Sequence, residues 1–378
     1  MTPDYFCVHH VGGRADGTRA FPEVPGFDDQ IFHVIYEADA RCIEAIERQW
    51  TTPLKSILPY CLADAKRESS PFHLNGCPFT SSLFPFNEAF SHYYEAKAIN
   101  GSDYVFGESF RPLRVCSLAT HAIDQLFAEQ KAPQVDFLSI DAQGAELLIL
   151  EGASRMLAET TVAVSTEVSF VNLYQGAPVF GDVDAYLRDK GFLLARLAPM
   201  EFGYKRIPRP FRGAGLPLQG ETLYFVKPEN ITNASPAVRQ TRLEKLAFCA
   251  LAFGYTELAF EAVERSLGIN ALAPGGRQAF LRKFHAEVAH GPALPRLWHE
   301  LPPAAEPARG PFAVRALKRL AADPRKFVED LRRLRRRHFV RTAMALKRPR
   351  MAFNAFERFL SDSGFHFAAC EVCIRRLG

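Results

Sequence analysis

Residues Val135–Glu146 read VDFLSIDAQGAE. A largely apolar run ends in Asp141, and Gly144 and Glu146 follow at once. The run does not alternate strictly, and strands covered on both faces read that way. From Glu146 to Leu157 the spacing becomes helical, with Leu147, Leu150, Ala153 and Leu157 on one face. A strand, an acidic residue at its carboxyl end and a helix make one unit of a parallel sheet. Ligands of such sheets bind beyond the carboxyl ends of the strands.

The same unit recurs on both sides of this stretch. Upstream, Phe6–Val11 reads as a short strand followed by Gly12, Gly13 and Gly17. Ile31–Tyr36 is a second strand ending in Glu37, with Cys42, Ile43, Ala45 and Ile46 in a helical pattern beyond it. Lys55–Ala63 is a third apolar run, ending near Asp64. Downstream, Val162–Thr166 ends in Glu167, and Asp182–Lys190 is a helix stopped by Gly191. Phe192–Leu197 and Thr222–Val226 read as the last strands. The pattern predicts an α/β fold with a doubly wound, mostly parallel, seven-stranded sheet. Two segments interrupt it, Ser69–Phe110 and Pro199–Gly220; both read as long loops that would wall a substrate site. From about Ser235 the pattern is helical, clearest over Arg242–Leu267. Two domains are expected, residues 1–228 and a helical, Arg-rich region 229–378.

Composition narrows the classes. Of 378 residues, 48% are hydrophobic and 23% charged, which supports packed cores rather than wholesale disorder. No apolar run reaches the roughly 18 residues of a membrane span, and the first residues lack the basic start and apolar stretch of a secretory signal. A cytoplasmic protein without a transmembrane segment is expected, its eight cysteines reduced. Cys370 and Cys373 form a C-x-x-C with no second pair nearby, so zinc is not expected. Net charge is only +4, but Arg315–Arg350 holds fourteen Lys or Arg against three Asp or Glu. That segment reads as a helix with a packed apolar face and a solvated basic one; its alternative is docking to an anionic surface. No signature of specific nucleic-acid binding accompanies it.

The candidate site collects at the strand ends. Glycines at 12, 13 and 17 let the backbone turn and approach a ligand, and His10 stands just before them. Glu37 lies 25 residues after Gly12 (37 − 12), where an acid can hold the hydroxyls of a nucleotide ribose. Asp141 would project into the cleft. Glu146 would sit in the first turn of a helix, where negative charge is favoured, and Glu167 would add a third carboxylate to the rim. Close carboxylates serve as a general base or bind a divalent cation, and the sequence leaves both open. His121 is a secondary candidate for the base.

Together these segments resemble the FkbM-type methyltransferase family. The resemblance is carried by Asp136–Ala153, DFLSIDAQGAELLILEGA, then by TEVSF from Thr166, LYQGAPVF from Leu173 and the Lys190–Phe192 triplet KGF. Upstream, VGGR from Val11, YEAD from Tyr36 and the serine pair before Leu83 agree with it. It covers roughly residues 5–228. The resemblance implies S-adenosyl-L-methionine as cofactor and methyl transfer to an oxygen of a sugar, glycan or natural product. It implies Gly12, Gly13 and Gly17 at the cofactor, with Glu37 on its ribose and Asp64 and Ser82 as further contacts. Asp141, with Glu146 and Glu167, would face the reaction centre. His10 departs from the family, many of whose members place Asp there. A dinucleotide-dependent oxidoreductase and a catalytically weak or inactive cofactor-binding module are the alternatives.

Overall fold

A computed structural model describes residues 5–12, 21–24, 30–52, 54–96, 103–208, 211–231, 235–266 and 268. Gly13, Gly17, the Arg315–Arg350 segment, Cys370 and Cys373 lie outside the described residues. In chain order the elements begin with β1 (Phe6–Val11), β2 (Ile31–Tyr36), α1 (Ala40–Gln49), β3 (Lys55–Leu58), β4 (Cys61–Leu62) and β5 (Arg67–Asn75). Next come β6 (Tyr94–Ala96), β7 (Asp103–Val105), α2 (Phe106–Ser109), β8 (Pro112–His121) and α3 (Ile123–Ala128). Then follow β9 (Phe137–Ile140), α4 (Glu146–Gly152), α5 (Ser154–Glu159), β10 (Ala163–Ser169) and α6 (Phe180–Asp189). Finally come β11 (Phe192–Phe202), β12 (Leu216–Val226), α7 (Pro236–Ala252) and α8 (Thr256–Ser266).

One sheet of seven strands has the order β11-β12-β10-β9-β1-β2-β3. β3, β2, β1, β9 and β10 are parallel neighbours, and β12 runs antiparallel to both β10 and β11. The mostly parallel, seven-stranded α/β sheet of the sequence reading is therefore present. Every residue of β1 and β9 is buried, as strands covered on both faces must be. The chain builds outward from β1 through β2 to β3, then returns to place β9 on the other side of β1. The order reverses between β1 and β9, and a crevice opens at such a point.

Three expectations need correction. The run Lys55–Ala63 is not one strand. Pro59 has no N–H to give a ladder; β3 before it joins the large sheet, and β4 after it joins a second sheet of order β4-β8-β5. Ser69–Phe110 is not a loop either: it contains most of β5, all of β6 and β7, and α2. Its aromatic residues build a core of their own, with Phe86, Phe106 and Phe110 buried beside Leu173, Tyr174 and Phe202. Finally, β11 and β12 run well into Pro199–Gly220, reaching Phe202 and starting at Leu216. The two interrupting segments meet: Tyr94 bridges to Gly203, and the rings of Phe106 and Phe202 lie 5.0 Å apart. Such pairings join residues distant in sequence, so local periodicity does not show them.

The described residues fall in the first of two compact units, Met1–Glu300. Helices α7 and α8 contribute Leu243, Leu246, Cys249, Ala259 and Ala262 to the same main core as the sheet. On α7, buried Arg242 donates to the carbonyls of Leu157, Ala158 and Thr161, and Lys245 reaches Asp136 at 2.8 Å. Among the described residues no helix is long and apolar enough to cross a membrane.

Candidate active site

A cleft of about 810 Å³ opens beyond the carboxyl ends of β1, β2 and β9. Val11 and Gly12 line it from β1, Glu37, Ala38 and Asp39 from β2, and Asp141, Ala142 and Gln143 from β9. A further wall comes from the small sheet and the turn beyond β5, with Phe72, Leu74, Asn75, Phe79, Ser81 and Arg114. The bend at Gly12 is in direct contact with the Asp141 loop. The Asp141 amide donates to the Val11 carbonyl at 3.1 Å. Gly12 has φ +111°, and a Cβ there would collide with the Asp141 carbonyl oxygen. Glycine is demanded twice, by conformation and by contact.

Glu37 Oε1 accepts the Asp39 amide at 2.7 Å, which ties the carboxylate to the entry of α1. Burial raises its pKa, and the hydrogen bond from Asp39 opposes that rise. The acid is therefore partly withdrawn from water and still lines the cleft.

The loop after β9 is braced from within. Gln143 adopts a left-handed φ of +53°, followed by Gly144 at +100°. Its Nε2 donates to Asp141 Oδ1 and to Glu167 Oε2, both at 2.7 Å. Its Oε1 accepts the Tyr174 hydroxyl at 2.9 Å, and its backbone oxygen accepts the Ser82 hydroxyl at 2.5 Å. Left-handed backbone is costly for a residue with a Cβ, so it persists only where the surroundings hold it. Sequence reasoning passed over Gln143 and Tyr174. Gln143 stands in the decisive stretch itself, and its signal was a polar side chain between the acid and the glycine. Tyr174 left no comparable signal.

The carboxylates divide by position. Asp141 lines the cleft. Glu146 is buried, and its carboxylate accepts the amides of Ala142 and Gly144 at 2.9–3.1 Å. Burial pushes its pKa from the usual 4.5 up to about 7, against the hydrogen bonds from its own loop. Glu167, on β10, lies behind Gln143 and also accepts Gln219 at 3.3 Å. Burial raises Glu167 well above the carboxylate range, and the charges of Asp141 and Glu146 and a hydrogen bond to Asp141 add to the rise. The expectation of three carboxylates on one rim is corrected to one at the cleft and two that brace it. The amides of Ala142 and Gly144, in the turn before α4, need an acceptor, and Glu146 supplies it.

Four other candidates also stand away from the cleft lining. His10 shares a face of β1 with Val8 and is fully buried; its Nε2 meets His33 Nδ1 at 3.1 Å, and its ring lies 4.8 Å from Trp50. Strand alternation sends Val11, not His10, to the cleft. Asp64 is held by Arg67 through two contacts of 2.7 Å at the surface. Ser82 is buried and positions the Gln143 backbone. His121, at the end of β8, packs edge-on against Tyr60 at 4.6 Å; burial first, then Lys66 and Lys131, lower its pKa. Among the described residues no group of three or more His, Cys, Asp or Glu is placed to hold a metal ion.

Residues 59–194 match the family described as the methyltransferase FkbM domain. Over that segment the chain is similar to the FkbM methyltransferase domain. The match begins just before β4 and ends in β11, so it includes the Asp141 loop and the whole small sheet. Among solved structures the chain is similar to a methyltransferase FkbM from Methylobacillus flagellatus KT, at 12% identity and TM-score 0.31. That similarity covers 59% of this chain and 44% of the other, so the chain spans less than half the length of that relative. A precorrin-6y C5,15-methyltransferase from Geobacter metallireducens GS-15 is similar at 9% identity and TM-score 0.27, covering 59% of this chain and 80% of that one. A TehB-like SAM-dependent methyltransferase from Corynebacterium glutamicum ATCC 13032 Kitasato is similar at 9% identity and TM-score 0.25, covering 60% and 83%. No curated protein matches the chain.

Proposed function

We propose that this chain is an S-adenosyl-L-methionine-dependent O-methyltransferase whose acceptor is a hydroxyl of a small molecule or glycan. The observation that carries the reading is the convergence of Gly12, Glu37 and Asp141 on one cleft at the reversal of strand order. The residues suit the cofactor. Gly12, free of a Cβ, lets the end of β1 pack directly on the Asp141 loop, so both stand at one cleft. Glu37 offers a carboxylate to ribose hydroxyls. The volume of about 810 Å³ lies within the range of small-molecule sites, about 300–1,000 Å³. Gly12 and Glu37 would hold the nucleoside half.

When bound, the sulfonium cofactor supplies an electrophilic methyl group. The work left to the protein is to orient the acceptor and take up its hydroxyl proton. Asp141 is the carboxylate at the cleft, and Gln143 holds its Oδ1 in place. Glu167, raised by burial, keeps the proton that so close a group of acids must retain. Asp141 is thus assigned as the base, with Gln143, Glu146, Glu167 and Ser82 as positioning residues.

Calorimetry and methyl-release assays on the full chain test this. S-adenosyl-L-methionine should bind; absence of both heat and thermal shift would sink the reading. Asp141→Ala should keep cofactor binding and lower transfer by about 10²–10⁴-fold, the usual worth of a general base. Unchanged transfer would remove Asp141 from that role.

A further inference from the structure

The walls of the cleft differ in chemistry. Beyond the large sheet it presents Glu37, Asp39 and Asp141; the wall built by β5 and β8 carries Arg114, the one cation among the described residues that line the cleft. Ladder register explains how Arg114 arrives there. Arg114 pairs with Leu74 and Val115 with His73 across the two strands. Arg114 therefore shares a face with Leu74 and Phe72, which also line the cleft, and Val115 takes the other face. That face is open, with Val115 60% exposed. Arg114 is exposed as well, so both faces of this end of β8 are open and Arg114 stands on the one that borders the cleft.

Among the described residues the Arg114 side chain forms no ion pair or hydrogen bond, although carboxylates line the same cleft. A guanidinium presents paired donors that match a carboxylate or phosphate in two-point contact. Phe72, Leu74 and Leu113 beside it supply apolar surface for a ring face. Given the methyl-transfer reading, the geometry points to an acceptor that carries an anionic group, a carboxylate or a phosphate, near the hydroxyl to be methylated, with Arg114 as the residue that selects it. A neutral acceptor would leave this cation without a partner.

The test is a saturation-transfer NMR titration of the full chain with three probes of one ring size: glucuronate, glucose 6-phosphate and methyl glucoside. At least one anion should bind about tenfold or more tightly than the glucoside, as charge-assisted hydrogen bonds imply. The stronger of the two anions tells carboxylate from phosphate. Arg114→Ala should erase the difference, and Arg114→Lys should retain part of it. The residue is exposed and unpaired, so the melting temperature of either variant should match that of the parent. Equal binding of the glucoside, a preference that survives Arg114→Ala, or no binding of any probe would overturn the inference. Calorimetry with S-adenosyl-L-methionine on Arg114→Ala closes the other route: a lost cofactor affinity would give Arg114 to the cofactor's carboxylate and refute an acceptor role. The titration needs no cofactor. Cofactor binding without an Arg114-dependent preference would defeat this inference alone, and a chain that binds no cofactor would defeat the methyl-transfer reading.

Discussion

Replacing Gly12 by alanine would place a Cβ against the Asp141 carbonyl oxygen in a backbone that L side chains rarely adopt. Strain of that kind costs about 1–3 kcal/mol. Gly12→Ala is expected to melt lower and to lose cofactor binding, read by thermal denaturation and calorimetry. Glu146 gives a prediction with a definite sign. Its folded pKa of about 7 stands above the usual 4.5, so the folded state holds a proton that the unfolded state releases. Its contribution is present below pH 4.5 and lost as pH rises towards 7. Glu146→Gln, which imitates the protonated acid, should flatten the fall in stability between those values. Urea titrations at several pH values would show it, and an unchanged slope would refute it. Gln143→Glu should lower transfer and alter its pH profile. It sets a new carboxylate where one amide now donates to two carboxylates at 2.7 Å.

At the scale of elements, α7 is joined to the sheet by polar contacts as well as by its apolar face. Asp136 precedes β9 and accepts the Cys7 amide and Lys245, both at 2.8 Å. Lys245→Ala would leave the Asp136 carboxylate buried without its cation, a loss of about 3–5 kcal/mol. Thermal unfolding of Lys245→Ala alongside the double variant with Asp136→Asn would test this, since removing both charges should restore part of the loss. A second contact between elements joins the Ser69–Phe110 and Pro199–Gly220 segments, the latter of which contributes no described residue to the cleft lining. Asp103 in β7 accepts Arg212 at 2.7 and 2.8 Å and Arg206 at 3.0 Å. Burial of Phe106 and Phe202 in one core accompanies it.

For the whole molecule, the cleft couples ligand binding to stability. A cofactor that binds only the folded chain adds about 2.7 kcal/mol at a hundred times its Kd. S-adenosyl-L-methionine should therefore raise the melting temperature, and a reduced nicotinamide dinucleotide should leave it unmoved. The reverse outcome would favour a dinucleotide enzyme. Glu37→Ala should diminish the shift without loss of the fold, because the Glu37 carboxylate lines the cleft and bonds one backbone amide.

The strands of the large sheet were legible in the sequence because burial on both faces writes itself locally, as continuous apolar runs such as Ile31–Tyr36. Acids and glycines at the ends of those runs were legible for the same reason, and so Gly12, Glu37 and Asp141 could be named in advance. Which way each side chain points was not. His10 and Val11 are neighbours, yet only Val11 lines the cleft, and β1's place between β2 and β9 decides that. Glu146 and Glu167 looked equivalent to Asp141 until the Gln143 turn separated them. The small sheet, with Arg114 on its cleft face, rests on β5–β8 pairing across some forty residues. Periodicity within a strand records how deeply it is buried. Only the packed fold records what it is buried against, because that depends on contacts between residues far apart in the chain.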